Sequence, residues 1–258
     1  MGVVSDPLWT GVAVALVTLF DTEGRVDNAA TAAHAARLAG DGIQAVLVGG
    51  TTGEADTLTD TELADLTAAV RGALPSTVPV VTGASGAWPG AASTRIAAAV
   101  SAGADAVLVA PPRRGADLAG YYAAAAKAAG AAPVLAYHFP GVAGGEVPVE
   151  ALASLPVAGV KDSTGSAERL LSELTIADRA VYVGSATLVF LAGALGATGA
   201  ILAVANAFPR ESAAAFAGDA AAQRALLAPH LKAKAQFPHG LKQLIADRYG
   251  TPTTARLS

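Results

Sequence analysis

The sequence predicts a closed α/β barrel of the (β/α)8 (TIM) type, with additional helices at its C-terminal end. Short apolar, β-branched runs alternate with alanine-rich helical stretches, and eight such units fit into about 210 residues. The strand-like runs are apolar throughout, which is typical of a parallel sheet covered by helices on its outer face. Eight consecutive units favour a closed barrel over an open sheet.

The predicted strands are the apolar runs at residues 12–18, 43–48, 78–82, 106–109, 134–137, 159–161, 181–184 and 200–204. The predicted helices are the stretches at residues 28–39, 59–73, 90–102, 118–129, 150–155, 166–174 and 186–195. Helical stretches are followed by glycines that commonly end a helix: Gly40, Gly42, Gly103 and Gly130. We expect residues 1–209 to form the barrel core. Residues 210–258 should add two or three helices packed on it, within one structural domain.

The composition excludes several classes of protein. Of the 258 residues, 53% are hydrophobic and only 15% are charged, so part of the surface is expected to be covered in a homo-oligomer, a dimer or tetramer. The net charge is −4 and no basic run exceeds Arg113-Arg114, which argues against nucleic-acid binding. The absence of cysteine excludes disulfides, thiol nucleophiles and cysteine-bound zinc, and it fits a cytoplasmic location.

Two apolar stretches raise the question of a membrane. Residues 12–20 follow no positive charge and precede no plausible cleavage region, so we expect no signal peptide. Residues 180–209 carry no charge and are long enough to span a bilayer. Glycines and Asn206 divide this stretch into strand, helix, turn and strand, and basic flanking anchors are missing. No membrane span is therefore expected.

Lys161 is the most informative residue of the chain. Of the five lysines only this one lies in an apolar run, residues 157–163, whereas Lys127, Lys232, Lys234 and Lys242 lie in helical segments where a solvated ammonium is ordinary. Burial disfavours the charged form of an amine, and the neutral form can attack a carbonyl to give a Schiff base. On this residue alone, the alternative is a strand-end lysine that reaches water or pairs with Asp162.

Other polar residues follow the predicted strands at the same end of the barrel, where the active sites of such folds lie. Residues 49–54 form a glycine-rich loop whose N–H groups and hydroxyls, at Gly50, Thr51 and Thr52, could hold a carboxylate or a phosphate, or could simply form a tight turn. Tyr137 could move protons beside a lysine amine or could be a core tyrosine bonded to a carbonyl.

The histidines and the acidic residues are expected to have structural roles rather than catalytic or metal-binding ones. His138 should point to the other side of the strand from Tyr137 and have a packing role. Glu54 could support the site residues from behind or act as a charge at a helix N-terminus, and we prefer the second interpretation. The histidines are scattered and few carboxylates lie near the rim, so no metal site is expected.

Taken together, these motifs resemble the dihydrodipicolinate synthase / N-acetylneuraminate lyase family of class I aldolases. The resemblance covers nearly the whole chain and rests on four segments in order: residues 50–54, 102–105, the Tyr137-x-x-Pro140 motif and residues 159–163. It implies a (β/α)8 barrel, commonly tetrameric, in which Lys161 forms the imine with pyruvate or another 2-oxo acid and no cofactor is needed. It further implies that Tyr137 moves protons, that Thr51 contacts the Tyr137 hydroxyl, and that Thr51 and Thr52 hold the substrate carboxylate.

Two departures from the family's synthases bear on the substrate. Pro112 and Arg113 stand where the synthases carry a tyrosine pair, and Val142 stands where they carry an arginine for aspartate semialdehyde. We therefore expect a lyase that joins pyruvate and an aldehyde, acting on a 2-keto-3-deoxy sugar acid or a related 2-oxo acid. Arg113 or Arg114 would then contact a distal anionic group or remain solvated. The alternatives are a 4-hydroxy-tetrahydrodipicolinate synthase and a non-catalytic barrel that binds a 2-oxo acid.

Overall fold

The computed structural model describes residues 7–114, 117–176 and 179–257, and within them eight parallel strands close into a barrel. Neighbours along the chain pair in order, and the first strand also pairs with the eighth, so the predicted (β/α)8 barrel is confirmed. The strands are β1 Gly11–Ala15, β2 Ala45–Val48, β3 Val80–Gly83, β4 Ala106–Val109, β5 Val134–His138, β6 Gly159–Asp162, β7 Ala180–Val183 and β8 Gly199–Leu202.

Helices follow the strands and cover the sheet from outside. They are α1 Asn28–Gly40, α2 Asp60–Ala73, α3 Pro89–Ser101, α4 Leu118–Ala129, α5 Val149–Leu152, α6 Ala167–Glu173 and α7 Val189–Ala194. Local sequence explains where they begin: Thr59 and Glu62 form a reciprocal capping box at α2, and the side chains of Asp117 and Ser166 cap α4 and α6. The predicted fifth helix shrinks to a single turn, and the β1 strand ends at Ala15, three residues before the predicted boundary.

The chain after β8 forms four helices in its described residues, where two or three were expected: α8 Pro209–Phe216, α9 Ala220–Ala225, α10 Leu227–Ala235 and α11 His239–Tyr249. Helix α8 packs against α7 and β1, which completes the ring of helices around the barrel. The extra helices are therefore α9 to α11, and α8 begins where the predicted barrel core was expected to end. The division of the chain at residue 209 stays a prediction.

Two apolar layers hold the barrel together. The larger lies between the sheet and the helices, and the smaller fills the barrel interior with small and branched side chains such as Ala13, Ala45 and Leu108. Successive residues of a strand face opposite layers, so the pairing register decides which side chains meet inside. Tyr137 and Lys161 are register partners in β5 and β6, and Tyr137 belongs to the interior cluster.

Asn206 joins the first and last strands of the barrel. Its Nδ2 donates to the carbonyls of Ala15 and Ala203 at 2.7 and 2.8 Å, and its Oδ1 accepts the N–H of Val17 at 3.1 Å. The side chain is fully buried, so every one of these bonds is made away from water. The amide thus binds the segment that leaves β1 to the one that leaves β8.

The uncharged stretch 180–209 folds as β7, a short 3-10 turn, α7 and β8, as its glycines indicated. In the part of the chain that the structure describes, no helix combines the length and the apolar character that a bilayer crossing requires. The same residues contain no group of three or more histidine or acidic side chains that could hold a metal ion.

Candidate active site

A cleft of about 490 Å³ opens at the carboxyl end of the barrel. The loops that follow β2, β3, β4 and β5 form its walls, which is where the fold places catalytic groups. Most of the polar residues singled out from the sequence line this cleft: Gly50, Thr51, Arg113, Arg114 and Tyr137. Thr52 and Lys161 lie behind its surface and are both largely buried.

Lys161 lies in the barrel interior against Tyr137. Its Nζ is 4.5 Å from the centroid of the Tyr137 ring, a cation–π distance, and the residue is only 4% exposed. Within the described residues it forms no ion pair; the neighbouring Asp162 bonds instead to the hydroxyl and N–H of Thr164. The alternative of a lysine paired with Asp162 or extended into water is therefore wrong. The Tyr137 ring, against which the amine lies, is itself part of the lining of the cleft.

Thr51 connects the Tyr137 hydroxyl to the loop after β2. Its Oγ1 lies 3.5 Å from the Tyr137 Oη, at the outer limit of a hydrogen bond. The loop forms a 3-10 turn, Thr51–Gly53, whose first internal bond runs from the Gly53 N–H to the Gly50 carbonyl. The N–H groups of Thr51 and Thr52 thus have no partner inside the turn, which is the arrangement that receives an anion at a helix start.

Glycine is required at two places that support this turn. A Cβ on Gly53 would lie 3.0 Å from the Leu16 carbonyl oxygen, and the Gly53 carbonyl itself accepts the Thr18 hydroxyl at 2.7 Å. A Cβ on Gly83 would come within 2.2 Å of the Gly49 carbonyl oxygen, so the ends of β2 and β3 approach closely only because a side chain is absent. The loop is therefore held between the segment that follows β1 and the end of β3.

Glu54 does not serve as a charge at a helix N-terminus, so that interpretation is wrong. Its carboxylate is buried and pairs with Lys242 at 2.6 Å, and its backbone is left-handed with φ 56°. The expectation of a solvated ammonium at Lys242 is wrong as well, because that side chain is fully buried, 4.4 Å from the centroid of the Phe20 ring. Burial lowers the pKa of Lys242, and the nearby Glu54 opposes that shift.

His138 has the expected packing role. It points away from the barrel interior, and its Nδ1 accepts the N–H of Val147 at 3.0 Å. Burial, together with the guanidinium of Arg169, lowers its pKa to about 4, so the imidazole is neutral at physiological pH. It contributes to the sheet–helix layer rather than to the cleft.

A cluster of three charged side chains from β6 and α6 was not anticipated from the sequence. Arg169 lies 2.8 Å from Glu173 and 3.6 Å from Asp162, and both carboxylates are buried. Burial raises the pKa of Glu173 to about 7, the Asp162 charge adds to the effect and Arg169 opposes it. The i,i+4 spacing of Arg169 and Glu173 beside an apolar strand was the sequence signal that could have revealed this cluster.

The arginines of the cleft have different surroundings. Arg113 donates from Nη2 to the Val142 carbonyl at 2.7 Å, which connects the loops after β4 and β5. Arg114 is exposed at the cleft wall. Arg95, which the sequence did not single out, also lines the cleft and pairs with Asp60 at 2.7 Å. Arg114 is thus the member of the three without a hydrogen bond or ion pair to the described residues.

Both the sequence and the fold of this chain are similar to those of known proteins. Over 230 residues, 83% of this chain and 75% of the relative, the sequence is 36% identical to a 4-hydroxy-tetrahydrodipicolinate synthase of Mycolicibacterium paratuberculosis. The crystal structure of dihydrodipicolinate synthase from Aquifex aeolicus is 27% identical, with a TM-score of 0.87 over 96% of this chain and 91% of that one. A protein described as KD(P)GA from T. tenax is 26% identical, with a TM-score of 0.83 over 95% of this chain and 89% of that one.

The model of the dihydrodipicolinate synthetase family matches residues 8–247, nearly the whole chain. Class I aldolases of this kind make and break carbon–carbon bonds through an imine on a lysine and use no external cofactor. The chain is accordingly an enzyme, a carbon–carbon lyase of the class I aldolase type. By the match of its sequence and its closed barrel, it belongs to the dihydrodipicolinate synthetase family.

Proposed function

We propose that this enzyme cleaves or forms the bond between pyruvate and an aldehyde, on a 2-keto-3-deoxy sugar acid or a related 2-oxo acid. Lys161 is the nucleophile, Tyr137 the proton carrier, and the turn at Gly50, Thr51 and Thr52 the site for the substrate carboxylate. The observation that carries the proposal is the stack of Lys161 on Tyr137, with the Thr51 hydroxyl beside that of Tyr137. A buried lysine without a carboxylate partner is the arrangement an imine-forming enzyme needs.

In the cleavage direction, the Lys161 amine attacks the C2 carbonyl of the 2-oxo acid to give a carbinolamine. Tyr137 donates a proton to the departing oxygen, which leaves as water, and the protonated imine forms. Loss of the proton from the C4 hydroxyl then breaks the C3–C4 bond and releases the aldehyde, with the electron pair held as an enamine. Protonation of the enamine at C3 and hydrolysis by one water return pyruvate and the free amine. A tyrosine within reach of both the imine carbon and Thr51 can serve each proton transfer.

The substrate carboxylate would bind at the 3-10 turn. The N–H groups of Thr51 and Thr52 have no partner inside the turn, and a carboxylate there would lie close to the imine carbon that Tyr137 serves. The buried Thr52 hydroxyl is the third donor. This placement leaves the rest of the cleft, towards Arg113, Arg114 and Val142, for the aldehyde portion.

The residues around the distal part of the cleft favour a sugar acid over aspartate semialdehyde as the substrate. Val142 offers no charge, and its carbonyl already accepts a hydrogen bond from Arg113. A guanidinium has five N–H donors, so Arg113 retains others for a ligand, and Arg114, at the wall, makes no hydrogen bond or ion pair to the described residues. The pair suits hydroxyl groups or a distal anion. The similarity to the T. tenax protein described as KD(P)GA supports this substrate class.

The test is reductive trapping followed by a substrate panel. Borohydride added with pyruvate should leave one pyruvate-derived adduct on Lys161, found by peptide mass mapping, and 2-keto-3-deoxy acids should release pyruvate. No adduct would contradict the mechanism and favour a barrel that only binds 2-oxo acids. An adduct formed without cleavage of any panel member would contradict the substrate class alone.

A second candidate is 4-hydroxy-tetrahydrodipicolinate synthase, which the names of relatives such as the Mycolicibacterium paratuberculosis protein favour. It would condense pyruvate with aspartate semialdehyde. A coupled assay with both substrates distinguishes it, because efficient condensation would require another residue, Arg113 or Arg114, to bind the distal carboxylate.

The enzyme is further proposed to act in the cytoplasm as a homo-oligomer, a dimer or tetramer, with no nucleic-acid or membrane partner. The lack of cysteine suits a reducing compartment. Large apolar side chains exposed on the described surface, among them Trp88, Leu227 and Leu231, suit burial between subunits. Light scattering after size exclusion gives the mass; a monomer at micromolar concentration would contradict the oligomer.

A further inference from the structure

The C-terminal segment, residues 254–257, lies against the loop that carries the carboxylate site. The Glu54 carboxylate receives the N–H groups of Arg256 and Leu257 on Oε2, both at 2.8 Å. Its other oxygen pairs with Lys242 at 2.6 Å, and Lys242 in turn donates to the Thr254 carbonyl at 2.6 Å. One buried carboxylate therefore fixes the backbone of the segment from two sides.

Arg256 anchors the same segment through its side chain. The guanidinium pairs with Glu62 at 2.6 Å and donates to the carbonyls of Gly24 and Thr57 at 2.7 and 2.9 Å. Hydrogen bonding from Arg256 lowers the pKa of Glu62 to about 2, so the pair stays ionised at any physiological pH. Multiple donors from one planar group define the position of the chain closely.

These contacts bring Leu257 into the wall of the cleft that Thr51 and Tyr137 also line. Leu257 is thus an apolar residue in the wall of the same cleft that would receive the aldehyde portion, and its position depends on Glu54 and Arg256 rather than on any strand of the barrel. Glu54 itself directly follows the Thr51–Gly53 turn and holds a left-handed backbone, which is costly for a residue with a side chain. The buried contacts with Lys242 and the segment compensate for that cost.

We propose that Leu257 is a specificity-determining residue that limits the size of the aldehyde, and that Arg256 is the positioning residue that keeps it in the cleft wall. The proposal deepens the aldolase function above and rests on it. Among the described residues, the hydrogen bonds of Arg256 and Leu257 go to Glu54, Gly24, Thr57 and Glu62, and none reaches Lys161 or Tyr137. We therefore expect the segment to act on the choice of aldehyde rather than on imine formation with pyruvate.

The experiment compares condensation of pyruvate with glyceraldehyde and with the longer erythrose in wild type, Leu257→Ala and Leu257→Phe. Leu257→Ala should raise the ratio of kcat/KM for erythrose over glyceraldehyde by roughly 10-fold, because a few methylene groups in a pocket discriminate by that order. Leu257→Phe should lower the ratio. The rate of borohydride trapping with pyruvate should be unchanged in both. Leu171→Ala, which truncates an exposed leucine of α6, is the matched control.

Arg256→Gln tests the anchor. It should reproduce the selectivity of Leu257→Ala while circular dichroism and pyruvate trapping stay as in wild type, and the double variant should show no further change. If the kcat/KM ratio for erythrose over glyceraldehyde is unaltered in Leu257→Ala while borohydride still traps the pyruvate imine on Lys161, the proposal is overturned and the aldolase function is not. Loss of trapping in the wild type itself would instead overturn the aldolase function, so the two failures are distinguishable.

Discussion

The guanidinium of Arg113 donates to the backbone carbonyl of Val142 over 2.7 Å and so joins the loops after β4 and β5. Each residue belongs to one of the two departures from the family's synthases that we predict from the sequence, and the two residues are in direct contact. The bond uses the carbonyl and not the valine side chain, so substitutions at residue 142 leave it intact. The specificity of the distal cleft can therefore be altered at residue 142 without opening the cleft wall.

Val142→Arg is predicted to improve the use of aspartate semialdehyde. A charge-assisted hydrogen bond contributes roughly 1.5–3 kcal/mol, so the KM for the semialdehyde should fall about 10-fold or more. A coupled condensation assay measures it, with Val142→Leu as the size control. If the wild type already condenses the semialdehyde as efficiently as it cleaves any 2-keto-3-deoxy acid, our interpretation of both departures is wrong.

Lys161→Ala and Lys161→Arg are predicted to abolish turnover while the barrel remains folded. Alanine removes the amine, and a guanidinium stays protonated and is a poor nucleophile. Pyruvate release and circular dichroism are the two measurements. Lys127→Ala, an exposed lysine of α4, is the control and should retain full activity. Turnover above a small fraction of wild type in either Lys161 variant would contradict the imine mechanism.

Tyr137→Phe is predicted to lower kcat by about 10²–10⁴-fold, the usual contribution of a general acid–base group. The ring that lies on Lys161 is preserved, so pyruvate binding should change little. Steady-state kinetics separate the effects. A rise in KM with unchanged kcat would mean that the hydroxyl only binds substrate.

Thr52→Val is predicted to weaken binding of the 2-oxo acid. Valine keeps the shape but removes a hydroxyl donor to the carboxylate, a loss of roughly 1.5–3 kcal/mol. Pyruvate affinity from the concentration dependence of borohydride trapping is the measurement. Thr57→Val, in the next turn of the loop, is the control. Equal pyruvate affinity in wild type and Thr52→Val would mean that the loop is only a structural turn and that the Thr52 hydroxyl does not bind the carboxylate.

Glu173 is predicted to make stability depend on pH. Its pKa is raised from 4.5 to about 7 in the folded chain. The unfolded state ionises first, so the contribution of the protonated carboxyl is present below pH 4.5 and is lost as pH rises to about 7. Relative to Glu173→Gln, the wild type should lose on the order of 2 kcal/mol of unfolding free energy across this window. Urea unfolding at several pH values measures it. Glu168→Gln, exposed on the same helix, should show no such difference.

The fold could be predicted because each unit of the barrel carries its own local signal. An apolar run, a loop and an alanine-rich stretch recur eight times, and parallel pairing in chain order follows from that alternation. The candidate site was largely predictable for the same reason, since Tyr137 and Lys161 lie near the carboxyl ends of their strands and Thr51 lies just beyond one. In a closed barrel all such ends meet on one face.

The features that the sequence did not predict depend on contacts between segments far apart in the chain, and a local sequence pattern carries no information about such contacts. Lys242 lies in an ordinary helical segment, and its burial results from meeting Glu54 and Thr254. Nothing in the composition of residues 254–257 indicates that Leu257 reaches the cleft. The left-handed backbone of Glu54 has no sequence signal either, because that conformation is usually marked by glycine.

Asn206 also bears on how the barrel assembles. Its bonds to Ala15 and Val17 span 191 and 189 residues of chain, so they form only when the first and last strands have met. Contacts of such long sequence separation carry a large loop-closure entropy and slow the search for the native topology. The pairing of β1 with β8 is thus expected to form late, after the local βα units have formed. In a chain that lacks the Asn206 amide, we expect unfolding to begin where β1 pairs with β8. This one buried side chain would then set how long the native barrel persists.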